Sequence, residues 1–175
     1  MELFLVRHPA VAVPPGTCYG QTDVPLKPGH ETDAARLKEE LGGEEFDAVF
    51  TSPLSRCRIL AEESGYGHAM PESRIAELNF GQWEMHRFDE ISDPRLQLWY
   101  DDWFNVAPTG GESCLQQQQR FSRFIEELRT RGYRKVLCFT HGGIIAHARV
   151  LAGLTTLSEA FAHPSPFASL IRICL

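Results

Sequence analysis

The sequence predicts an α/β fold, a three-layer α/β/α sandwich around a mostly parallel central sheet. Three observations lead there. Short apolar runs of the kind that sheets bury on both faces begin almost at residue 1 and recur to the end of the chain. Amphipathic helical patterns lie between them, so strands and helices alternate. No repeat, low-complexity tract or long linker interrupts the series, and residues 1–175 are expected to form one domain.

The first strand candidate is Leu3-Phe4-Leu5-Val6. Pro28-Gly29 opens a helix with Ala34, Leu37 and Leu41 on one face, stopped at Gly42. Asp47 to Thr51 is the second strand. After it, Ser52-Pro53 has the form of an N-cap followed by a proline at the first helical position, leading into Leu54, Cys57, Leu60 and Ala61. Asp93-Pro94 repeats that signal before Leu96, Trp99 and Trp103, and the two tryptophans are expected in the core. Ser113 and Gln116 have capping-box spacing ahead of the stripe Phe121, Phe124, Ile125, Leu128, which Gly132 stops. The glutamine run 116–119 is given no role. Lys135 to Thr140 is the third strand, and Gly142-Gly143 leads into a helix carrying Ile144, Ile145, Ala148, Leu151 and Ala152, with Gly153 as its cap. His163-Pro164-Ser165-Pro166 reads as an irregular loop, because two prolines exclude regular pairing. Ala168 to Ile173 is the closing strand.

Composition bounds the function. The 175 residues suffice for a substantial core, and 43% hydrophobic with 23% charged residues sits near the globular average. A formal charge of −6 argues against nucleic acid or an anionic membrane as partner. No run of about eighteen apolar residues is present to span a bilayer. The start Met1-Glu2-Leu3-Phe4-Leu5-Val6-Arg7 lacks the basic head and long apolar stretch of a secretion signal, and Cys18, Cys57, Cys114, Cys138 and Cys174 are dispersed and odd in number. Reduced thiols and a cytoplasmic location are the expectation. His141 and His147 miss the i, i+4 spacing of a zinc helix, and neither a metal nor another cofactor is expected.

Parallel sheets gather ligands beyond the carboxyl ends of their strands. The first strand ends in Arg7-His8-Pro9, the second in Thr51-Ser52-Pro53-Leu54-Ser55-Arg56, and the third in Thr140-His141-Gly142-Gly143. Two histidines and two arginines would therefore converge on one crevice. The guanidinium forks of Arg7 and Arg56 suit an oxyanion, helix starts after Ser52 and His141 add unpaired N–H groups, and a histidine held there can attack phosphorus.

This ordered set, Leu5-Val6-Arg7-His8, then Ser52-Pro53-Leu54-Ser55-Arg56, then Thr140-His141-Gly142-Gly143, resembles the histidine phosphatase, or phosphoglycerate-mutase-like, superfamily. The segments Cys18 to Leu26, Glu77 to Glu84 and Pro108 to Ser113 resemble its α-ribazole-5′-phosphate phosphatase branch, which removes a phosphate during assembly of the cobalamin lower ligand. The resemblance implies a phosphoglycerate-mutase-like fold in a single histidine-phosphatase domain and a metal-independent phosphomonoesterase. Its substrate would be small and phosphorylated, and inorganic phosphate would be a product. His8 would be the phosphoacceptor. His141 would stand opposite, protonated enough to bond the phosphoryl oxygens that Arg7 and Arg56 clamp. Gly142 stands where some members carry their acid, which leaves Glu77 as proton donor and then base, ahead of Glu84 and Glu112. Tyr19, Gln21, Thr22, Trp83 and Gly142 join Arg7 and Arg56 as expected substrate contacts, with Tyr19 and Trp83 at the pocket mouth. Two positions depart from the pattern. Pro9 replaces a common glycine and removes a backbone donor, and Met85 replaces a glycine after Trp-Glu, where its side chain would narrow the mouth. The alternatives are the same chemistry on a sugar phosphate or phosphoglycerate, and a catalytically silent phosphate-binding module.

Overall fold

The apolar run after Met1 forms β1, Glu2–Arg7, in a computed structural model that describes residues 1–175. Its neighbours are β2, Ala48–Thr51; β3, Met70–Pro71; β4, Lys135–Thr140; and β5, Leu170–Cys174. The spatial order is β3-β2-β4-β1-β5, parallel except for β5, which runs antiparallel to β1. Parallel pairing requires crossovers, and helices supply them: α1, His30–Glu40; α2, Ser55–Glu63; α3, Arg95–Asp101; α4, Cys114–Thr130; α5, Gly142–Leu151; and α6, Leu157–Ala162.

Each face of the sheet carries its own core. Leu3, Leu5 and Phe50 pack under Phe121, Phe124, Ile144 and Ile145 of α4 and α5. Phe4, Val6 and Phe139 pack on the other side under Leu37 of α1 and Leu60 of α2. Successive residues of β1 thus serve opposite layers, and each large side chain so buried stabilises by about 1.5–3 kcal/mol relative to exposure. In α4 the capping box forms as read: Ser113 Oγ accepts from Gln116 N at 3.2 Å and Gln116 Oε1 from Ser113 N at 2.7 Å.

Two local expectations are corrected. The helix after β2 begins at Ser55 behind Leu54, so Ser52 is left outside it and caps nothing. The helix carrying Trp99 ends at Asp101, before Trp103, and it has no buried residue. Trp99 is instead half-buried among aromatic rings, edge-on to Trp83 at 5.7 Å and stacked on Phe88 at 6.1 Å. The two-residue β3 is too short for a periodic signal. The segment after Gly153 contains α6, capped by Thr156, before the irregular stretch around Pro164 and Pro166. No helix is long and apolar enough to cross a membrane.

Candidate active site

The register of β1 on β4 pairs Arg7 with Thr140, so the next residue of each strand, His8 and His141, emerges at the same sheet edge. Their rings lie 5.1 Å apart between centroids, inclined at 59°. His8 donates Nδ1–H to the carbonyl of Pro9 at 2.7 Å, which leaves the Nε2 lone pair unused. Burial, then the Arg56 charge, outweighs that bond, and with Arg7 lowers the His8 pKa to about 3. His141 Nε2 meets Ser52 Oγ at 2.7 Å. Burial drives its pKa well below the ordinary range, helped by His8, Arg56, Arg120 and Arg7. Both rings are therefore neutral at pH 7 in this arrangement, whereas the resemblance implies a partly charged His141. Burial is the largest cause of the difference, and four cationic or imidazole neighbours add to it.

Arg56 is fully buried at the start of α2 and donates to the carbonyls of Thr22 at 3.1 Å and Gly20 at 2.6 Å. Arg7 donates Nη1 to the Ser165 carbonyl, and its guanidinium carbon lies 4.1 Å from the Phe167 ring centroid. The Nε of each arginine is buried without a partner. The Phe167 ring also stands 5.5 Å from His8, and Ala168 N–H, in a left-handed backbone of φ +52°, donates to the His8 carbonyl at 3.2 Å. The 163–168 loop thus folds over the first histidine and the first arginine together.

Beside this group opens a cleft of about 240 Å³. Arg7, Tyr19, Glu77, Gln117 and Gly142 line it, and most of the remaining wall is apolar: Leu78, Phe80, Phe88, Ala146, Ala160, Phe161 and Pro164. His8, His141 and Arg56 are no more than 1% exposed and lie outside that wall. Glu77 Oε1 accepts from Leu78 N at 2.9 Å and from Gln117 Nε2 at 3.1 Å, while Oε2 has Gly143 N at 3.4 Å. The other two carboxylates weighed as acids are committed elsewhere. Glu84 accepts from the backbone N–H groups of Gln21, Thr22 and Phe80, and Glu112 pairs with Arg120 at 2.7 Å.

The remaining expected contacts divide. Tyr19 and Gly142 are in the cleft wall; Gln21 and Thr22 are not. Gln21 donates Nε2–H to the Glu77 carbonyl at 2.9 Å, and the Thr22 hydroxyl bonds Glu84, so both hold the loop. Trp83 is only 1% exposed, with its indole N–H on Asp93 at 2.7 Å, and it is outside the cleft wall. Met85 is also outside the wall and 49% exposed, so it does not narrow the cleft. Its backbone keeps a left-handed φ of +67°, the conformation a glycine would favour. Two residues escape sequence reading. Ser52 has the signature of a helix cap, and Gln117 lies in a glutamine run whose one buried, cleft-facing member shows only in helical phase with Phe121 and Phe124.

Comparison with known proteins agrees with this geometry. Residues 3–174 match the histidine phosphatase superfamily (branch 1). Phosphoserine phosphatase 1 of Hydrogenobacter thermophilus is 28% identical over 144 residues, covering 78% of this chain and 68% of that protein. A crystal structure of a candidate α-ribazole-5′-P phosphatase from Escherichia coli superposes with a TM-score of 0.85 at 25% identity, over 98% of this chain and 89% of that one. The structure of a phosphoglycerate mutase from Thermus thermophilus gives 0.79 at 30% identity, over 100% of this chain and 99% of that one. The names of these three relatives carry three different substrates, and the family match spans every strand end that carries the histidines and arginines. The chain belongs to the histidine phosphatase superfamily, branch 1, and is a phosphatase of small phosphorylated substrates.

Proposed function

We propose that the chain is a metal-independent phosphomonoesterase acting through a phosphohistidine at His8, with α-ribazole 5′-phosphate as substrate. The observation that carries the substrate is the cleft wall. Its charged side chains are Arg7 and Glu77, and the rest is aromatic, aliphatic or neutral. A phosphoserine or phosphoglycerate would bring a carboxylate besides its phosphate and find no second cation in that wall. A neutral nucleoside with a flat base instead meets Tyr19, Phe80, Phe88 and Phe161. The Escherichia coli relative supports the same substrate, and the Hydrogenobacter relative names the principal rival.

In this reading the His8 Nε2 lone pair attacks phosphorus. The P–O ester bond breaks as the N–P bond forms, and Glu77 passes a proton to the leaving oxygen. The bond from Nδ1–H to Pro9 fixes the tautomer that attack needs. Arg7 exchanges the Ser165 carbonyl for phosphoryl oxygens, and Arg56 contributes its unpartnered Nε. The arriving dianion supplies the negative charge that the arginines lack, which draws His141 towards its protonated form. Water then attacks phosphorus, Glu77 takes its proton, and the N–P bond breaks to release phosphate and restore neutral His8.

The test is phosphate release from α-ribazole 5′-phosphate beside phosphoserine, 3-phosphoglycerate, sugar phosphates and nucleotides, with chelator present. The expected kcat/KM for α-ribazole 5′-phosphate exceeds every rival at least about tenfold, or about 1.4 kcal/mol. His8→Ala should lower it at least about a thousandfold. Preference for phosphoserine would overturn the substrate, and turnover that survives in His8→Ala would overturn the phosphohistidine.

A further inference from the structure

Behind Glu77 runs a buried chain of polar groups that the reaction steps above leave unused. His147, on the buried face of α5, places Nε2 3.2 Å from Gln117 Oε1, and the other end of that amide donates to Glu77 Oε1 at 3.1 Å. Gln117 is fully buried although it lines the cleft, and His147 is 1% exposed. An amide can be turned either way, but here the ends decide the sense. A carboxylate oxygen only accepts, so the NH2 must face Glu77. The amide oxygen then faces His147 and needs a donor, which the neutral imidazole supplies from Nε2–H. Burial and Arg120 keep that imidazole neutral by lowering its pKa to about 4. Its Nδ1 has no partner, and the other neighbour of Nε2, Cys114 Sγ at 3.7 Å, is outside the cleft wall, so the ring's polar link to the cleft runs through Gln117. Gly143 completes the frame, since a Cβ there would stand 2.5 Å from Glu77 Oε1 and 2.9 Å from Gln117 Oε1.

We infer that Gln117, oriented by His147, is a positioning residue that assigns the two oxygens of Glu77 their roles. Oε1 is occupied by two N–H donors, from Leu78 and Gln117, and so cannot carry the transferable proton. That proton resides on Oε2, whose one neighbour is the longer 3.4 Å contact from Gly143 N–H. When the P–O ester bond breaks, the Oε2 proton goes to the leaving oxygen and the carboxylate retains the electron pair. In the second step Oε2 takes a proton from the attacking water. The inference rests on Glu77 as the proton donor.

A leaving-group comparison tests it. General acid catalysis matters for an alkyl phosphate, whose alkoxide leaves poorly, and hardly at all for 4-nitrophenyl phosphate. The value of kcat/KM reports the first step alone. Glu77→Gln should lose about a hundredfold or more on the alkyl substrate and far less on the aryl one. Gln117→Leu and His147→Leu should each lose about tenfold on the alkyl substrate and at most about threefold on the aryl one. His147→Gln keeps a donor near the Nε2 position and should recover most of the alkyl activity. A general loss of folding would depress both substrates together, so retained aryl turnover serves as the fold control. Equal losses on the two substrates in a Gln117→Leu protein whose melting temperature is unchanged, with the split intact in Glu77→Gln, would overturn the positioning role. Equal losses in Glu77→Gln itself would overturn Glu77 as proton donor, a separate result.

Discussion

Met85 departs from the expected glycine in name but keeps its backbone, with a φ of +67° and N–H donation to the Cys18 carbonyl at 2.6 Å. A left-handed backbone costs a side-chain-bearing residue about 1–2 kcal/mol, while glycine loses about 0.5–1 kcal/mol more in chain entropy. Met85→Gly should therefore raise stability by about 0.5–1 kcal/mol, read as a higher urea midpoint at unchanged slope. Because the side chain is 49% exposed and outside the cleft wall, kcat/KM should not move. A loss of stability would mean that the methionine side chain packs better than its exposure indicates. Pro9 departs in the opposite manner. The donor it lacks is real, yet its carbonyl sets the His8 tautomer, so the residue contributes through the atom that proline retains.

At the scale of elements, α5 has its N-cap at His141 and brings Gly143 against Glu77 and Gln117 in its first turn. Gly143→Ala separates two effects that usually travel together. An alanine favours the helix by up to about 1 kcal/mol, but its Cβ pushes on the carboxylate and the amide. The expected outcome is a melting temperature unchanged or raised, with kcat/KM on an alkyl phosphate down about tenfold. Full activity in that variant would show that the two side-chain ends yield without consequence. The same scale explains what the sequence makes legible. The three strands ending in His8, Ser52 and His141 are readable because apolar runs, unlike alternating ones, mark strands covered on both faces. Ser113 and Gln116 are readable because the capping box is a local exchange between residues three apart. The cover over His8 is not, since Ser165 meets Arg7 across 158 residues of chain, Phe167 joins it there, and no local pattern encodes that meeting. Ser52 misleads for the converse reason: the residue type that caps helices also supplies a hydroxyl to a distant imidazole.

Across the whole molecule, three histidines are buried and held neutral: His8 at about 3, His147 at about 4, and His141 well below the ordinary range. The unfolded chain binds protons on these rings from about pH 6.5 downward, and the folded chain resists doing so. Above about pH 6.5 the rings are neutral in both states and cost nothing. Below it stability falls, by up to about 1.4 kcal/mol per pH unit for each histidine, until the folded values are reached. Urea unfolding at about pH 7.5, 6 and 5 should show that decline before most carboxylates titrate, and His147→Gln should remove about one histidine's share of the slope. A flat profile across that range would mean that the rings take up protons within the fold.

The gap between His8 and His141 has a further meaning. The two residues follow a registered pair on adjacent parallel strands, and their 5.1 Å ring separation is close to the roughly 4.8 Å spacing that backbone hydrogen bonding imposes on any sheet. The site's gauge is therefore cut by the main chain. Changes in the surrounding loops can alter what alcohol is carried in, how tightly, and how fast it leaves. They cannot move the two strand ends apart, so the imidazoles stay neighbours and one small group can meet both.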